Sequence, residues 1–504
     1  MNLASIIDDH PDDAIALISR NRPTTYGELR GMVARMRGGL ASIGVGQGDR
    51  VVLLCGNGVP FAATYLATLG LGAVAVPLNP LSPAPEIEPE IAKIGAKVVV
   101  IEKVSAATWM NVDRSRVPSV ERVVTTDDVA HAPEMDAVST EELLASEPVD
   151  RVDVAPDHLA ALIFTSGTAG SPKAAMLTHH NLLTNIEQSL SHEDRLNDSD
   201  VIYGVLPLFH IFGMNIVLGL GLYVGATIVL VQRFDPLTAA ETIRDREVTI
   251  VPGAPTMWTA FAHFDELADN TFATVRRALS GASRLPVTVA ERMRDRFGVE
   301  IAEGYGLTEA SPTVTTQVGN TIKFGSVGRA LDGVEIRLIS VQCGEALVGD
   351  VGEIWVRGEN VFPGYYEDAE ATAKVLTPDG WLKTGDMAIA DDEGYMYIVD
   401  RAKDLVIVSG FNVYPAEVEE VLTSHPDVAE SGVIGVPHPH TGEAVKAFVV
   451  VTAGADVDEE TLREYCLDHL ARYKCPTKIM FADSLPKNAS GKLVRRVLDD
   501  ALQA

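Results

Sequence analysis

The chain is poor in several things, and each scarcity removes a class of answer. Four cysteines stand in 504 residues: Cys55, Cys343, Cys466 and Cys475. None forms a C-x-x-C pair, and the last two lack partner histidines. Free buried or half-buried thiols in a reducing compartment are expected, not a disulfide scaffold or a thiolate metal site. Basic residues are scarce too: 41 Lys and Arg face 70 Asp and Glu, a formal net charge of −29. Such a balance argues against nucleic acid or an anionic membrane as the primary partner, leaving at most peripheral membrane contact. The opening residues, MNLASIIDDHPDD, have neither a basic n-region nor an apolar h-region, so no signal peptide is visible and a cytoplasmic location is expected. No G-x-S-x-G elbow appears, which disfavours a serine hydrolase. His179-His180 and His438-Pro-His440 lack ligand spacing with matching carboxylates and read as loop or helix-cap residues.

At 504 residues, with 46% apolar and 22% charged side chains, the chain is an ordinary globular composition too long for one core. Charge is missing from Val51–Pro85 and from Val201–Gln232. Prolines break the first, and Pro207, His210 and Asn215 interrupt the second, so both read as buried core and not as membrane spans. Gly219-x-Gly221-x-x-x-Gly225 misses the dinucleotide fingerprint by one residue and reads as close helix packing. Short β-branched runs (51–54, 74–77, 98–101, 161–164, 227–231, 249–251) alternate with helical patterns such as 26–43 and 239–246. That alternation predicts parallel sheets covered by helices. The acidic segment 127–157 reads as a solvated connection with a short helix at 140–146. After Asp400 the character changes to helices near 415–423 and 458–472 and strands near 428–436 and 445–451. The predicted organisation is α/β: a large N-terminal domain of helix-covered β-sheets, residues 1–400, plus a small mobile C-terminal α+β domain, residues 401–504. Within the latter, 473–496 carries six basic residues and one acid, Asp483, which suggests a phosphate or carboxylate partner.

The chemistry-bearing stretches begin with Phe164-Thr-Ser-Gly-Thr-Ala-Gly-Ser-Pro-Lys-Ala-Ala-Met176. Its spacing from Gly167 to Lys173 is that of a Walker A loop, but Pro172 and Ala174 replace the second Gly and the Mg²⁺-binding hydroxyl. A strand followed by small and hydroxyl residues can still fold its N–H groups around phosphate oxygens. In Glu303-Gly-Tyr-Gly-Leu-Thr-Glu309, bare glycines would let a flat ligand stack on Tyr305, and Glu309 is a hard oxygen ligand suited to Mg²⁺ shared with phosphates. Asp386 in Gly380–Asp386 and Arg401 in Asp400–Asp404 offer an acceptor and a donor for ribose hydroxyls. Leu485-Pro-Lys-Asn-Ala-Ser-Gly-Lys492 is a lysine-bearing loop inside the basic cluster. Together they suggest a nucleoside triphosphate, a metal, and a lysine delivered by a second domain.

In this order and spacing the five stretches resemble the adenylate-forming superfamily of acyl-CoA synthetases, peptide-synthetase adenylation domains and luciferases. The likeness extends from Thr24–Leu29 and Gly46–Arg50 to Lys492–Arg496. Leu206-Pro-Leu-Phe-His210 and Val408–Pro415 look most like fatty acyl-CoA synthetases. The resemblance implies that Thr165, Ser166, Gly167, Thr168, Ala169 and Gly170, with Lys173 auxiliary, wrap the ATP phosphates. It implies that Ala282 and Ser283 border the adenine beside Glu303, Gly304, Tyr305 and Gly306, that Thr308 meets the α-phosphate, and that Glu309 holds Mg²⁺. Asp386 and Arg401 would fix the ribose. Lys492 would bridge the carboxylate and α-phosphate, Lys403 would be the hinge, and Ser409 and Gly410 would line the CoA tunnel. His210, Met214, Met257 and Gly281 would line the acyl pocket.

The implied reaction joins a carboxylic acid, medium- or long-chain fatty by the apolar run 211–222, to CoA through acyl-AMP, using ATP. Aromatic acids come second. An enzyme loading a carrier-protein thiol and a non-catalytic nucleotide-binding regulator follow behind them. The oligomeric state is open, a homodimer being possible. Departures from the usual pattern are Ala169 for Thr, Ala174 for Gly, Val251-Pro-Gly253 for Val-Pro-Pro, and Ser-Arg at 283–284, which clouds the adenine-side role of Ser283.

Overall fold

The computed structural model describes residues 2–126, 137–165, 172–192, 195–340, 344–401, 404–408, 411–452, 454–487 and 493–498, with backbone only at Arg401, Asn412 and Arg496. Two helix-covered sheets dominate. The first runs, edge to edge, Ala137–Ser139, Arg122–Thr125, Val98–Ile101, Arg50–Leu54, Val74–Pro77, Leu159–Thr165 and Lys173–Thr178. All neighbours are parallel except the last pair, which returns antiparallel. The second is a nine-stranded sheet whose centre, Thr227–Leu230, Val201–Gly204, Ile250–Gly253, Arg277–Ser280 and Ile301–Gly306, is parallel. It continues antiparallel through Thr313–Thr316 to Arg329–Ala330. Strands buried on both faces need continuous apolar runs, which is why Val98–Ile101 reads VVVI and is fully buried.

Both charge-poor stretches are core. Val51–Pro85 supplies two central strands and the buried helix Val59–Gly70. Val201–Gln232 supplies two more strands and, between them, a π-helix, Phe212–Gly219, followed by the helix Leu220–Val224. Periodicity does not distinguish that π-helix from an α-helix. Gly221 presses its bare Cα on Ile228, where a Cβ would lie 2.8 Å from the side chain, and Gly225, at φ +83°, ends the helix in the left-handed region. Among the described residues no helix is long and apolar enough to cross a membrane.

A third, antiparallel sheet orders Gly344–Glu345, Glu335–Ser340, Gly352–Arg357, Leu382–Ala390 and Met396–Arg401. The smaller C-terminal domain has its own sheet, Phe411–Val413, Val406–Val408, Gly442–Val451 and Val428–His438, with Lys478–Phe481 parallel to Gly442–Val451. The helices Pro415–Ser424 and Glu459–His469 cover it, and Val418, Leu422, Val433, Ala447 and Leu462 form its core. Cys55, Cys466 and Cys475 are buried free thiols, and burial raises each. His179 is no cap: Thr178 caps, and His179 opens the helix His179–Gln188, buried, its Nδ1 accepting from the Leu3 N–H at 3.0 Å. Burial pushes its pKa down to about 3.

Candidate active site

A cavity of about 1690 Å³ lies where the large sheets, the third sheet and the small domain meet. Its mouth is set by strand ends, as expected where parallel strands deliver loops to one edge. Thr165 closes the strand Leu159–Thr165 and pairs with Lys173 across the hairpin, and both line the cavity. Ser166, Gly167, Thr168, Ala169 and Gly170 lie outside the described residues. The hairpin's return is held from outside: Lys93 Nζ donates to the Pro172 carbonyl at 2.7 Å.

On the opposite wall, Gly281, Ala282 and Ser283 follow the strand Arg277–Ser280, and Gly304, Tyr305, Gly306, Thr308 and Glu309 follow Ile301. Ala282 adopts φ +72°, a conformation an alanine holds only under constraint. The glycines beside Tyr305 are sterically required. A Cβ on Gly306 would sit 2.2 Å from the Pro312 carbonyl oxygen, and one on Gly304 would sit 3.1 Å from that of Thr315. Glu303 alternates to the other face. It is 4% exposed, stays out of the cavity lining, and its Oε2 accepts from the Leu285 N–H at 3.2 Å. It therefore buttresses the 282–285 turn from behind. Burial pushes its pKa up to about 7, against the pull of that N–H.

Tyr305 O–H donates to Asp386 Oδ2 at 2.7 Å. Asp386 is register partner of Arg401 across the strands Leu382–Ala390 and Met396–Arg401, so stacking ring, acceptor and arginine backbone converge. Glu309 Oε1 accepts from the Tyr365 O–H at 2.7 Å. Nothing in the sequence singles out Tyr365; a glycine before a cavity-facing aromatic, as at Gly304-Tyr305, is the one signal it shares. A carboxylate beside Thr308 and a phenol is a hard-oxygen donor set, and it fits Mg²⁺ held jointly with phosphates.

His210 Nδ1 accepts from the Phe212 N–H at 3.3 Å, and the residue lines the cavity. Phe212 meets Gly281, where a Cβ would lie 3.1 Å from the ring. Met214 and Met257 do not line the cavity; both are packed in the core, and Phe212, Ile216, Leu220, Pro255, Thr256 and Thr259 stand on the wall instead. One apolar residue in helical sequence cannot be told from its neighbour until the helix's rotation is known.

The small domain reaches the same cavity. Arg284 Nη2 pairs with Glu420 at 3.0 Å across the gap. Lys487 and Leu493 pair as a β-bridge and both line the cavity. Lys492 itself, with Lys403, Ser409 and Gly410, lies outside the described residues. Arg495, which sequence reasoning does not single out, pairs with Glu419 at 2.6 Å and with Asp400 at 3.5 Å.

Residues 4–366 match the AMP-binding enzyme family and residues 417–492 the AMP-binding enzyme C-terminal domain. A feruloyl-CoA synthase from an Amycolatopsis species is 37% identical over 473 residues, covering 94% of this chain and 92% of its own. A long-chain-fatty-acid–CoA ligase of Bacillus subtilis is 33% identical, covering 96% and 91%. The crystal structure of ATP-bound MatB from Rhodopseudomonas palustris superposes with a TM-score of 0.91 at 32% identity, covering 100% and 99%. The chain belongs to the AMP-binding enzymes of the adenylate-forming superfamily, among relatives that are AMP-forming acid–CoA ligases.

Proposed function

We propose that the protein joins a carboxylic acid to CoA in two steps through an acyl adenylate, and that the acid is aromatic with a polar ring substituent. The observation that carries the first part is convergence: Thr165, Tyr305–Asp386, Thr308–Glu309 and the bridged pair Lys487 and Leu493 line one cavity.

A carboxylate is a poor electrophile because resonance stabilises it. Its attack on the ATP α-phosphorus expels pyrophosphate and gives the mixed anhydride. Thiol attack on the acyl carbon then releases AMP and forms the thioester. In the first step two anions must meet, and Mg²⁺ held by Glu309 would screen the phosphate charge when bound. Lys492 would add a compact ammonium between carboxylate and α-phosphate, offsetting their repulsion and stabilising charge on pentavalent phosphorus. His210, on the cavity wall, would orient the incoming carboxylate. Asp386, aimed by Tyr305, is the acceptor for the ribose hydroxyls. The hairpin 165–173 need only cradle departing pyrophosphate, so the Walker A Mg²⁺-binding hydroxyl, replaced by Ala174, is dispensable there.

The substrate reading rests on the cavity wall along one strand. Gly281, Ser280, Leu279 and Arg277 all line it, a run of about 13 Å. Ile216, Leu220 and Leu196 line the same cavity, as do the polar Arg277, His192, Ser189 and Thr316. A ring hydroxyl or methoxy group would meet hydrogen-bonding partners there. A methyl terminus would instead cover polar groups with hydrocarbon, at a cost of about 1–3 kcal/mol. The feruloyl-CoA relative agrees with this reading. A fatty acid, the expectation from 211–222, remains the second reading, favoured by the Bacillus relative and by Ile211, Phe212, Ile216 and Leu220. Pyrophosphate release across hydroxylated aromatic, unsubstituted aromatic and aliphatic acids tests it. A kcat/KM highest for dodecanoate would overturn the aromatic assignment, and thioester formed only on a carrier protein would overturn CoA.

A further inference from the structure

Tyr365 joins two parts of the site that no backbone connects. Its segment is stitched beside the strand Lys173–Thr178: Met176 N–H donates to the Gly364 carbonyl at 3.0 Å, Tyr366 N–H to that of Ala174 at 2.8 Å, and Tyr365 bridges Ala175. The turn before it needs a bare residue. Gly364 sits at φ +140°, and a Cβ there would lie 2.6 Å from the Thr372 side chain, whose Oγ1 accepts from the Tyr365 N–H at 2.9 Å. The ring packs edge-on against Phe362 at 5.0 Å, and the Phe362 N–H donates to the Glu309 carbonyl at 2.9 Å. Thus fixed and 7% exposed, Tyr365 does two things. Its O–H donates to the Glu309 carboxylate at 2.7 Å, and its face carries Lys173 Nζ at 5.2 Å from the centroid.

We propose that Tyr365 is a positioning residue for adenylation: its phenol fixes the rotamer of the metal-binding carboxylate, and its ring seats the lysine of the phosphate hairpin. One side chain thereby sets the spacing between the cation and the pyrophosphate cradle. The inference rests on Glu309 as the Mg²⁺ ligand. A phenol–carboxylate hydrogen bond is charge-assisted, and a cation over a ring within about 6 Å is an attractive pair, so both contacts resist displacement. Neither contact touches the base or ribose, so the effect is confined to ligands with β- and γ-phosphates.

The test is calorimetric binding of Mg·ATP and of AMP without acid, so that nothing turns over. Tyr365→Phe should weaken Mg·ATP by about tenfold, the loss expected for a hydrogen bond to a charged group. It should leave AMP affinity and the melting midpoint unchanged, and raise the Mg²⁺ concentration giving half-maximal pyrophosphate release. Tyr365→Leu removes the lysine's seat as well. Lys173→Met should therefore weaken Mg·ATP in the Tyr365→Phe background and have little effect in the Tyr365→Leu background. Equal losses for AMP and Mg·ATP, or a Tyr365→Phe protein that binds Mg·ATP like the parent, would overturn the proposal. Glu309→Gln separates the two levels. If it shifts the Mg²⁺ requirement and Tyr365→Phe does not, Glu309 keeps its role and the positioning role falls. If Glu309→Gln shifts nothing, the metal reading falls and the inference with it.

Discussion

Glu303 shows how a single residue's chemistry can mislead when its strand face is unknown. In sequence it stands directly before the glycines and the tyrosine that line the site, and by position it groups with them. A strand alternates, so Glu303 and Gly304 cannot face the same way, and the carboxyl is in the core supporting the Leu285 turn. Its consequence is thermodynamic. The folded protein holds the proton up to about pH 7, whereas the unfolded chain releases it near the ordinary value of 4.5. That contribution to stability is complete below about pH 4.5 and is lost as the pH rises through 7, on the order of 3 kcal/mol. Glu303→Gln keeps an acceptor for the N–H and cannot ionise. It should melt above the parent at pH 8 and close to it at pH 4.5, giving a difference that grows between those limits. Parallel melting curves across that range would contradict the shift. Thr308, Glu309, Tyr305 and Asp386 were legible as residues because their chemistry is rare in such loops; Tyr365 was not, because a tyrosine among apolar residues resembles core.

Elements were more legible than contacts. Strands 74–77 and 98–101 agree with the structure to the residue, since a buried parallel strand is an uninterrupted apolar run between polar turns. The π-helix Phe212–Gly219 was not legible, because its cause lies outside itself. Asn215, 1% exposed, donates to the Leu182 carbonyl at 3.1 Å and to that of Ser311 at 2.7 Å, tying the helix to a neighbour and to the turn after Glu309. At its start Gly213 lies so near the Pro207 carbonyl that a Cβ would be 2.1 Å from the oxygen. Widened helical turns of this kind recur at functional sites, and this one carries Phe212 and Ile216 to the cavity wall. Gly213→Ala must lift the helix from the His210 turn, costing about 1–3 kcal/mol of overpacking. The expected kinetic signature is a raised KM for the acid with Mg·ATP binding preserved. Equal damage to both would assign Gly213 to the fold alone.

At the scale of the whole molecule the question is how one cavity serves two reactions. A lysine held between carboxylate and α-phosphate would obstruct the thiol, which would be a reason to put Lys492 on a separate small domain, and on the proposed mechanism that domain would turn about Lys403. Two variants separate the half-reactions. Lys492→Ala should cut adenylation by about two or more orders of magnitude, the scale of one lost transition-state contact, and spare thioester formation from supplied acyl-AMP. Lys403→Pro should do the reverse, slowing thioester formation more than pyrophosphate release. The structure adds a contact that such a turn must break. Asp400, before the hinge position, accepts from the Ala416 N–H at 2.8 Å and from Arg495 at 3.5 Å, both beyond it. Arg495 also holds Glu419 at 2.6 Å and Asp404 at 3.4 Å, and those pairs lie on the far side of the hinge and travel together. Of these bonds, those to Asp400 span residue 403, and they fasten Arg495 and the N-terminus of helix Pro415–Ser424 to the large domain. Asp400→Ala should therefore depopulate this arrangement: adenylation falls several-fold, and thioester formation from supplied acyl-AMP holds or quickens, since less is broken on turning. Stopped-flow measurement of each half-reaction separately decides it. If both slow equally, Asp400 only stabilises the strand that ends in Arg401; if only the thioester step slows, the clasp belongs to the other arrangement.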